Sequence, residues 1–215
     1  SLIELPTPPN LFVSLYMMLR VGLTGGIASG KTAVANYFAE LGCSIVDTDV
    51  ISREVVAVGE SGLAKVRKEF GSHIISDSGE LDRRLLRTLI FSDPRKRLRL
   101  EEILHPLIRE KVIERLDGLS TPYAIIVVPL LVETDFASLV DRVAVVDCPR
   151  KTQLERLLSR DGINLIQAES ILDAQVKRNV RLAHADDLID NGGNWDKTQH
   201  RIVELHANYS NLASK

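Results

Sequence analysis

At 215 residues, with 45% hydrophobic and 26% charged residues, the chain has the size and make-up of a soluble globular domain with a full core. A formal net charge of -2 gives no overall pull toward nucleic acid or an anionic membrane, and no apolar run is long enough to span a bilayer. Cys43 and Cys148 stand alone and far apart, which excludes a disulfide framework or a CxxC metal site and suits a reducing, cytoplasmic setting.

From the N-terminus, "SLIELPTPPNLFVSLY" (Ser1–Tyr16) carries three prolines, one acid and no basic run, unlike a secretory signal. Residues 1–17 are therefore expected to be an extension without chemistry, and "MLRVGLTGG" from Met18 reads as a natural chain start. A buried strand is predicted at Leu19–Leu23, running into the glycine-rich "GLTGGIASGKT" of Gly22–Thr32. Ala33, Val34, Tyr37, Phe38 and Leu41 recur at helical spacing, with Gly42 as the stop. A second strand is predicted at Cys43–Asp47.

Between Ile51 and Leu119 the strand signal gives way to helices. Asp93-Pro94 starts one of them, with Asp as N-cap and Pro in the first turn. Leu98, Leu100, Ile103, Leu104, Leu107, Ile108, Val112, Ile113 and Leu116 mark its apolar face, and Pro106 is expected to bend or break it near His105. Further strands are predicted at Ala124–Val128 and Arg142–Asp147, then a helical insert at Lys151–Arg181 and a short strand and turn within Asp186–Gly193. A surface helix closes the chain at Asp196–Ser214, with Ile202, Val203, Leu205, Tyr209 and Leu212 expected inward. Such alternation predicts an α/β fold, a parallel sheet flanked by helices. Its core is expected from 18–50, 120–150 and 182–215, with helical inserts at 51–119 and 151–181.

Gly25-Gly26-Ile27-Ala28-Ser29-Gly30-Lys31-Thr32 fits G-x-x-x-x-G-K-[ST], with a strand before it and a helix after it. Glycines let successive amides point inward, Lys31 can reach the β- and γ-phosphates, and the Thr32 hydroxyl can ligate Mg²⁺. The loop is thus expected to hold a nucleoside triphosphate. No N-K-x-D guanine reader is present, and the third strand ends in Pro129 rather than an acid. Asp47 and Asp49 close the second strand in "SIVDTD", on the sheet edge that carries the phosphate loop. If the chain stays extended, the two point the same way, and one or both can face the γ-phosphate to orient an acceptor hydroxyl or hold metal-bound water. The plainer alternative is a helix N-cap plus a surface acid.

Arg156 and Arg160 share a helical face, as do Arg178 and Arg181, and either pair can close over phosphates or be solvated surface. The run Arg83, Arg84, Arg87, Arg95, Lys96, Arg97 and Arg99 reads as solvated helix or an anionic acceptor site. His105 and Trp195 read first as structural residues.

Taken together, "LTGGIASGKT", "VDTD" with Arg53 downstream, "HPLI" at His105–Ile108, "VPLLVE" at Val128–Glu133, "QLERLLSRD" at Gln153–Asp161 and "ADDLIDNGG" from Ala185 resemble the dephospho-coenzyme A kinase family. The resemblance runs from about Met18 to the C-terminus. It implies a P-loop kinase core, a helical coenzyme-binding insert and a helical lid, with ATP and Mg²⁺ used to phosphorylate the ribose 3′-hydroxyl of dephospho-coenzyme A. Carried over by position, Asp49 activates the hydroxyl and Arg156 is the lid arginine on the phosphates. Gly25, Gly26, Ala28, Ser29, Gly30, Lys31, Thr32, Ala33 and Arg160 would bind ATP, while Thr24, Arg53 and His105 would line the acceptor side. The implied partner is a small molecule, with no nucleic acid or membrane. Ala28 departs from the glycine common in the family; if its site requires positive φ, alanine strains the loop. The competing readings are a kinase acting on a nucleotide such as AMP or CMP, and a nucleotide-dependent switch whose hydrolysis signals to a partner.

Overall fold

β-Branched and apolar runs with few breaks favour strands buried on both faces, and four such runs with a short, partly exposed fifth strand at one edge make one sheet. The computed structural model describes residues 18–129, 131 and 135–214, so the extension expected at 1–17 and part of "VPLLVE" lie outside the described residues. The strands are β1 (Leu19–Gly25), β2 (Ser44–Asp47), β3 (Tyr123–Val127), β4 (Arg142–Asp147) and β5 (Asp187–Asp190). All pair in parallel, in the order β2-β3-β1-β4-β5. β1 is central, its Leu19 opposite Tyr123 of β3 and its Gly25 opposite Val146 of β4. The C-terminal ends of all five strands therefore share one edge, where open α/β sheets bind ligands.

Between the strands run α1 (Lys31–Glu40), α2 (Thr48–Glu54), α3 (Ser61–Phe70), α4 (Arg83–Ser92) and α5 (Pro94–Asp117). They are followed by α6 (Arg150–Asp161), α7 (Leu165–Asp173), α8 (Arg178–Ala183) and α9 (Trp195–Ala213). Alternate residues of the strands feed opposite cores. Val21, Leu23, Ile125 and Val146 pack against Phe38 of α1 and Ile202, Leu205 and Tyr209 of α9. Ala124 and Ile126 pack against Ile51 of α2 and Ile108, Val112 and Leu116 of α5. Each such large side chain, fully buried, contributes roughly 1.5–3 kcal/mol of transfer free energy. No helix among the described residues is long and apolar enough to cross a membrane.

Three expectations need correction. First, the helix does not break at Pro106: α5 continues through it. Proline removes one amide, but Ile103, Leu104, Leu107 and Ile108 on either side pack into the second core, and that burial holds the turns together. Second, Leu98 is exposed rather than part of the apolar face. Third, Val203 and Leu212 of α9 are exposed, because the inward stripe follows Ile202, Leu205, Tyr209 and Ala213. Gly42 does follow α1 with φ 89° and donates to the carbonyl of Ala39. Asp93 caps α5 by accepting from the amide of Arg95.

Candidate active site

The glycine-rich loop leaves the end of β1 and enters α1 at Lys31. Gly30, the N-cap, has φ 95°, and a Cβ there would lie 2.1 Å from Nδ2 of Asn191, so only glycine fits. The first turn of α1 carries no acid and no side chain caps it, so its amides and partial positive charge stay available at the sheet edge. Lys31 Nζ donates to the carbonyls of Gly25 (2.9 Å) and Gly26 (3.4 Å). Burial pushes the Lys31 ammonium down to about 8, with Arg181 and Arg160 adding to the fall and Asp49 and Asp47 opposing it. Ala28 takes the left-handed conformation, φ 57°, so its side chain does strain the loop. Ser29 is buried with its Oγ unpartnered, while its carbonyl accepts from Asn191 Nδ2 at 2.7 Å.

The two acids after β2 part company. Asp47 is the N-cap of α2, its Oδ1 accepting from the amides of Asp49 (2.8 Å) and Val50 (3.4 Å). Thr48 Oγ1 donates to the carbonyl of Val127 at 2.9 Å and anchors the helix start to β3. The chain is already helical at Asp49, so the extended-chain argument that would aim both acids alike does not hold there. Asp49 lies in the first turn of α2 and lines the cleft. Although solvent reaches its outer side, the surrounding protein strips part of its hydration. That desolvation, then Asp47, raises its pKa, and Lys31 and Arg53 oppose the rise.

A cavity of about 920 Å³ joins these parts. Of the residues expected to bind ATP or act on it, Ala28, Gly30, Lys31, Thr32, Ala33, Asp49, Arg156 and Arg160 all line it. The guanidinium of Arg156 donates to the carbonyls of Ala28 (3.2 Å), Ser29 (3.2 Å) and Asn191 (2.8 Å), bracing the loop. Arg160 is paired with Asp161. Thr24 is buried, its hydroxyl donating to the carbonyl of Pro129 at 3.3 Å. Arg53 lies in the last turn of α2 and accepts at its carbonyl from Arg83. His105 stands apart from this cavity, in one of about 170 Å³ with Pro106, Arg109 and Phe136, its ring edge-on to Phe136.

The second arginine pair divides. Arg178 holds the buried Asp147 through Nε at 2.9 Å, a structural ion pair, while Arg181 is buried and donates to the carbonyl of Val176. In the basic run, Arg95, Arg97 and Arg99 are matched by Asp93, Glu101, and Glu69 with Glu102. Gln153, Gln175 and Asn191, each bonded to the loop backbone, were not singled out from the sequence. Neutral amides carry no charge pattern or spacing that would flag them.

For Mg²⁺ the donor set is sparse but apt. Among the described residues no group of three or more acids, histidines or cysteines could hold a metal alone. Thr32 and Asp49 place a hydroxyl and a carboxylate on the same cavity, as suits an ion that keeps waters and takes its other ligands from phosphates.

A family model described as dephospho-CoA kinase matches residues 19–197. Dephospho-CoA kinase of Aeromonas hydrophila is 47% identical over 199 residues, covering 92% of this chain and 98% of that protein. Its counterpart from Vibrio vulnificus is 49% identical over 194 residues, covering 90% and 96%. Among solved structures, dephospho-CoA kinase from Campylobacter jejuni matches with TM-score 0.68 and 26% identity, covering 89% of this chain and 97% of that one. A shikimate kinase from Acinetobacter baumannii, at 16% identity and TM-score 0.51 over 91% and 96% of the two chains, shares the fold. The chain belongs to the dephospho-CoA kinase family, whose activity is the ATP-dependent phosphorylation that completes coenzyme A synthesis.

Proposed function

We propose that the chain transfers the γ-phosphoryl group of ATP to the ribose 3′-hydroxyl of dephospho-CoA, giving CoA and ADP, with Asp49 as the proton acceptor. The observation that carries this reading is the shared cavity, where an uncapped helix N-terminus and Lys31 face a carboxylate. The amides of the loop and of the first turn of α1 hold the phosphates, and Lys31 leaves the carbonyls of Gly25 and Gly26 to pair with them. Thr32, with Asp49 nearby, would hold Mg²⁺, which supplies charge neutralisation between the β- and γ-phosphates when bound. Asp49 accepts the proton of the 3′-hydroxyl as its oxygen attacks γ-phosphorus and ADP leaves. A carboxylate with a raised pKa is a stronger base for that step.

Helices within 51–119 would receive the coenzyme, with Arg53 and His105 toward the acceptor. The 151–181 segment would be the lid, with Arg156 ordering the loop against the triphosphate and Arg160 joining on the phosphates. Buried, unbridged Cys43 and Cys148 favour a reducing cytoplasmic location.

Purified protein with Mg-ATP tests the reading. Dephospho-CoA, AMP, CMP and buffer are compared as acceptors, with ADP formation followed and the product mass checked for one added phosphate. Turnover with dephospho-CoA is expected. Turnover with a nucleotide instead, or ADP formed equally without an acceptor, overturns it.

A further inference from the structure

Ile27, inside the phosphate loop, has both its backbone N–H and its carbonyl bonded by side-chain amides from outside the loop. Its N–H donates to Oε1 of Gln175 at 2.8 Å, and its carbonyl accepts from Nε2 of Gln153 at 2.8 Å. Gln153 lies in the first turn of α6 and is buried, while Gln175 follows α7. The side chains of Ile27 and Ala28 pack into the small core formed by Leu157 of α6 with Ala168 and Leu172 of α7. A Cβ on Gly26 would come within 2.4 Å of Gln153 Nε2, so the amide sits against bare backbone. The adjacent Ala28 is held in a strained conformation, which persists only where surrounding contacts over-determine it.

We propose that Gln153 and Gln175 are positioning residues for phosphoryl transfer. They fix the two peptide groups that flank Ile27, and through them the aim of the amides that follow, so the seating of the α6–α7 segment on the loop sets the affinity for ATP. This rests on the reading of the loop as the ATP site. The chemistry at the two positions is opposite. A peptide carbonyl only accepts and a peptide N–H only donates, so Gln153 must present its NH₂ and Gln175 its oxygen. Glutamate can replace an acceptor but not a donor. Glutamate at either position adds one negative charge beside Ile27, but Gln153 is buried and Gln175 only partly so, and Gln153→Met removes the same donor with no charge added.

The test is Mg-ATP binding by calorimetry, with steady-state kinetics, on the full chain carrying Gln153→Glu or Gln175→Glu. Gln153→Glu is expected to bind ATP about tenfold more weakly than Gln175→Glu, with the KM for dephospho-CoA moving little in either. Equal ATP affinities in the two glutamate variants, the reverse order, or wild-type ATP affinity in Gln153→Met overturn the proposal, the last because it removes the donor without burying a charge. If Gln153→Glu does not fold, Gln175→Glu is set against Gln175→Met, which fills the space without an acceptor. The methionine variant should bind ATP about tenfold more weakly, and equality overturns the proposal. A wild-type chain that fails to bind Mg-ATP removes the reading of the loop and this proposal together. Normal wild-type turnover with matched glutamate variants removes only the proposal.

Discussion

The donor and acceptor sides of the cleft are held by different kinds of structure. On the donor side, Lys31 and Thr32 follow the central strand by a short loop whose carbonyls are tied by Gln153, Arg156 and Asn191. On the proposed acceptor side, Asp49 lies in the first turn of α2 at the sheet edge, Arg53 in its last turn, and His105 lines a separate cavity on α5. On the proposed reading the sheet edge would set where phosphate and base meet, whereas the residues expected to select the acceptor ride on helices beyond it. Changes on the donor side should alter the ATP constants, and changes among the helices should alter the acceptor's.

Asp49→Asn sits where the two sides join and should have the largest effect, lowering kcat by about 10²–10⁴-fold with ATP affinity little changed, as steady-state kinetics would check. Lys31→Ala should lower kcat/KM for ATP by about 10²–10³-fold, since it removes a cation from both ground and transition states. A loss confined to dephospho-CoA binding would break the donor–acceptor division. Arg156→Ala should raise the KM for ATP by about tenfold and leave that for dephospho-CoA nearly unchanged, because it releases two loop carbonyls and that of Asn191.

The pH dependence sharpens the donor side. With its pKa down to about 8, Lys31 loses charge as pH rises through that value, so kcat/KM for ATP should fall there. Bound phosphates favour the charged ammonium, so ATP binding between about pH 8 and 9 should take up a proton, measurable by calorimetry in buffers of different ionisation enthalpy. The unfolded chain holds that proton up to 10.5, so this group's contribution makes stability rise with pH across the window from about 8. Smallest of all, Ala28→Gly should relieve the left-handed alanine and raise stability by about 0.5–1 kcal/mol, roughly 2 °C in Tm by scanning calorimetry.

The sheet was legible because its strands are local runs of apolar, β-branched residues, and the loop because its chemistry is contiguous: glycines, then Lys31 and Thr32. Asp49 does line the cleft, but the extended-chain parity offered for it fails, since Asp47 caps a helix that begins at Thr48. Pro106 shows the converse, a local breaking signal overridden by core packing on both sides. What sequence could not disclose were the ties of Gln153, Gln175 and Asn191 to loop backbone more than a hundred residues away. Such contacts exist only once α6, α7 and β5 are folded against the loop, and amide side chains leave no periodic or charge signature.

The central claim is that donor and acceptor meet at Asp49, and single-turnover transfer tests it most directly. Wild-type protein and Asp49→Asn, each loaded with Mg-ATP, are mixed rapidly with dephospho-CoA, quenched, and assayed for CoA. Equal ATP occupancy with a transfer rate lower by about 10²–10⁴-fold in the variant is the predicted result. Transfer at a near wild-type rate would contradict the account and remove Asp49 from the chemistry.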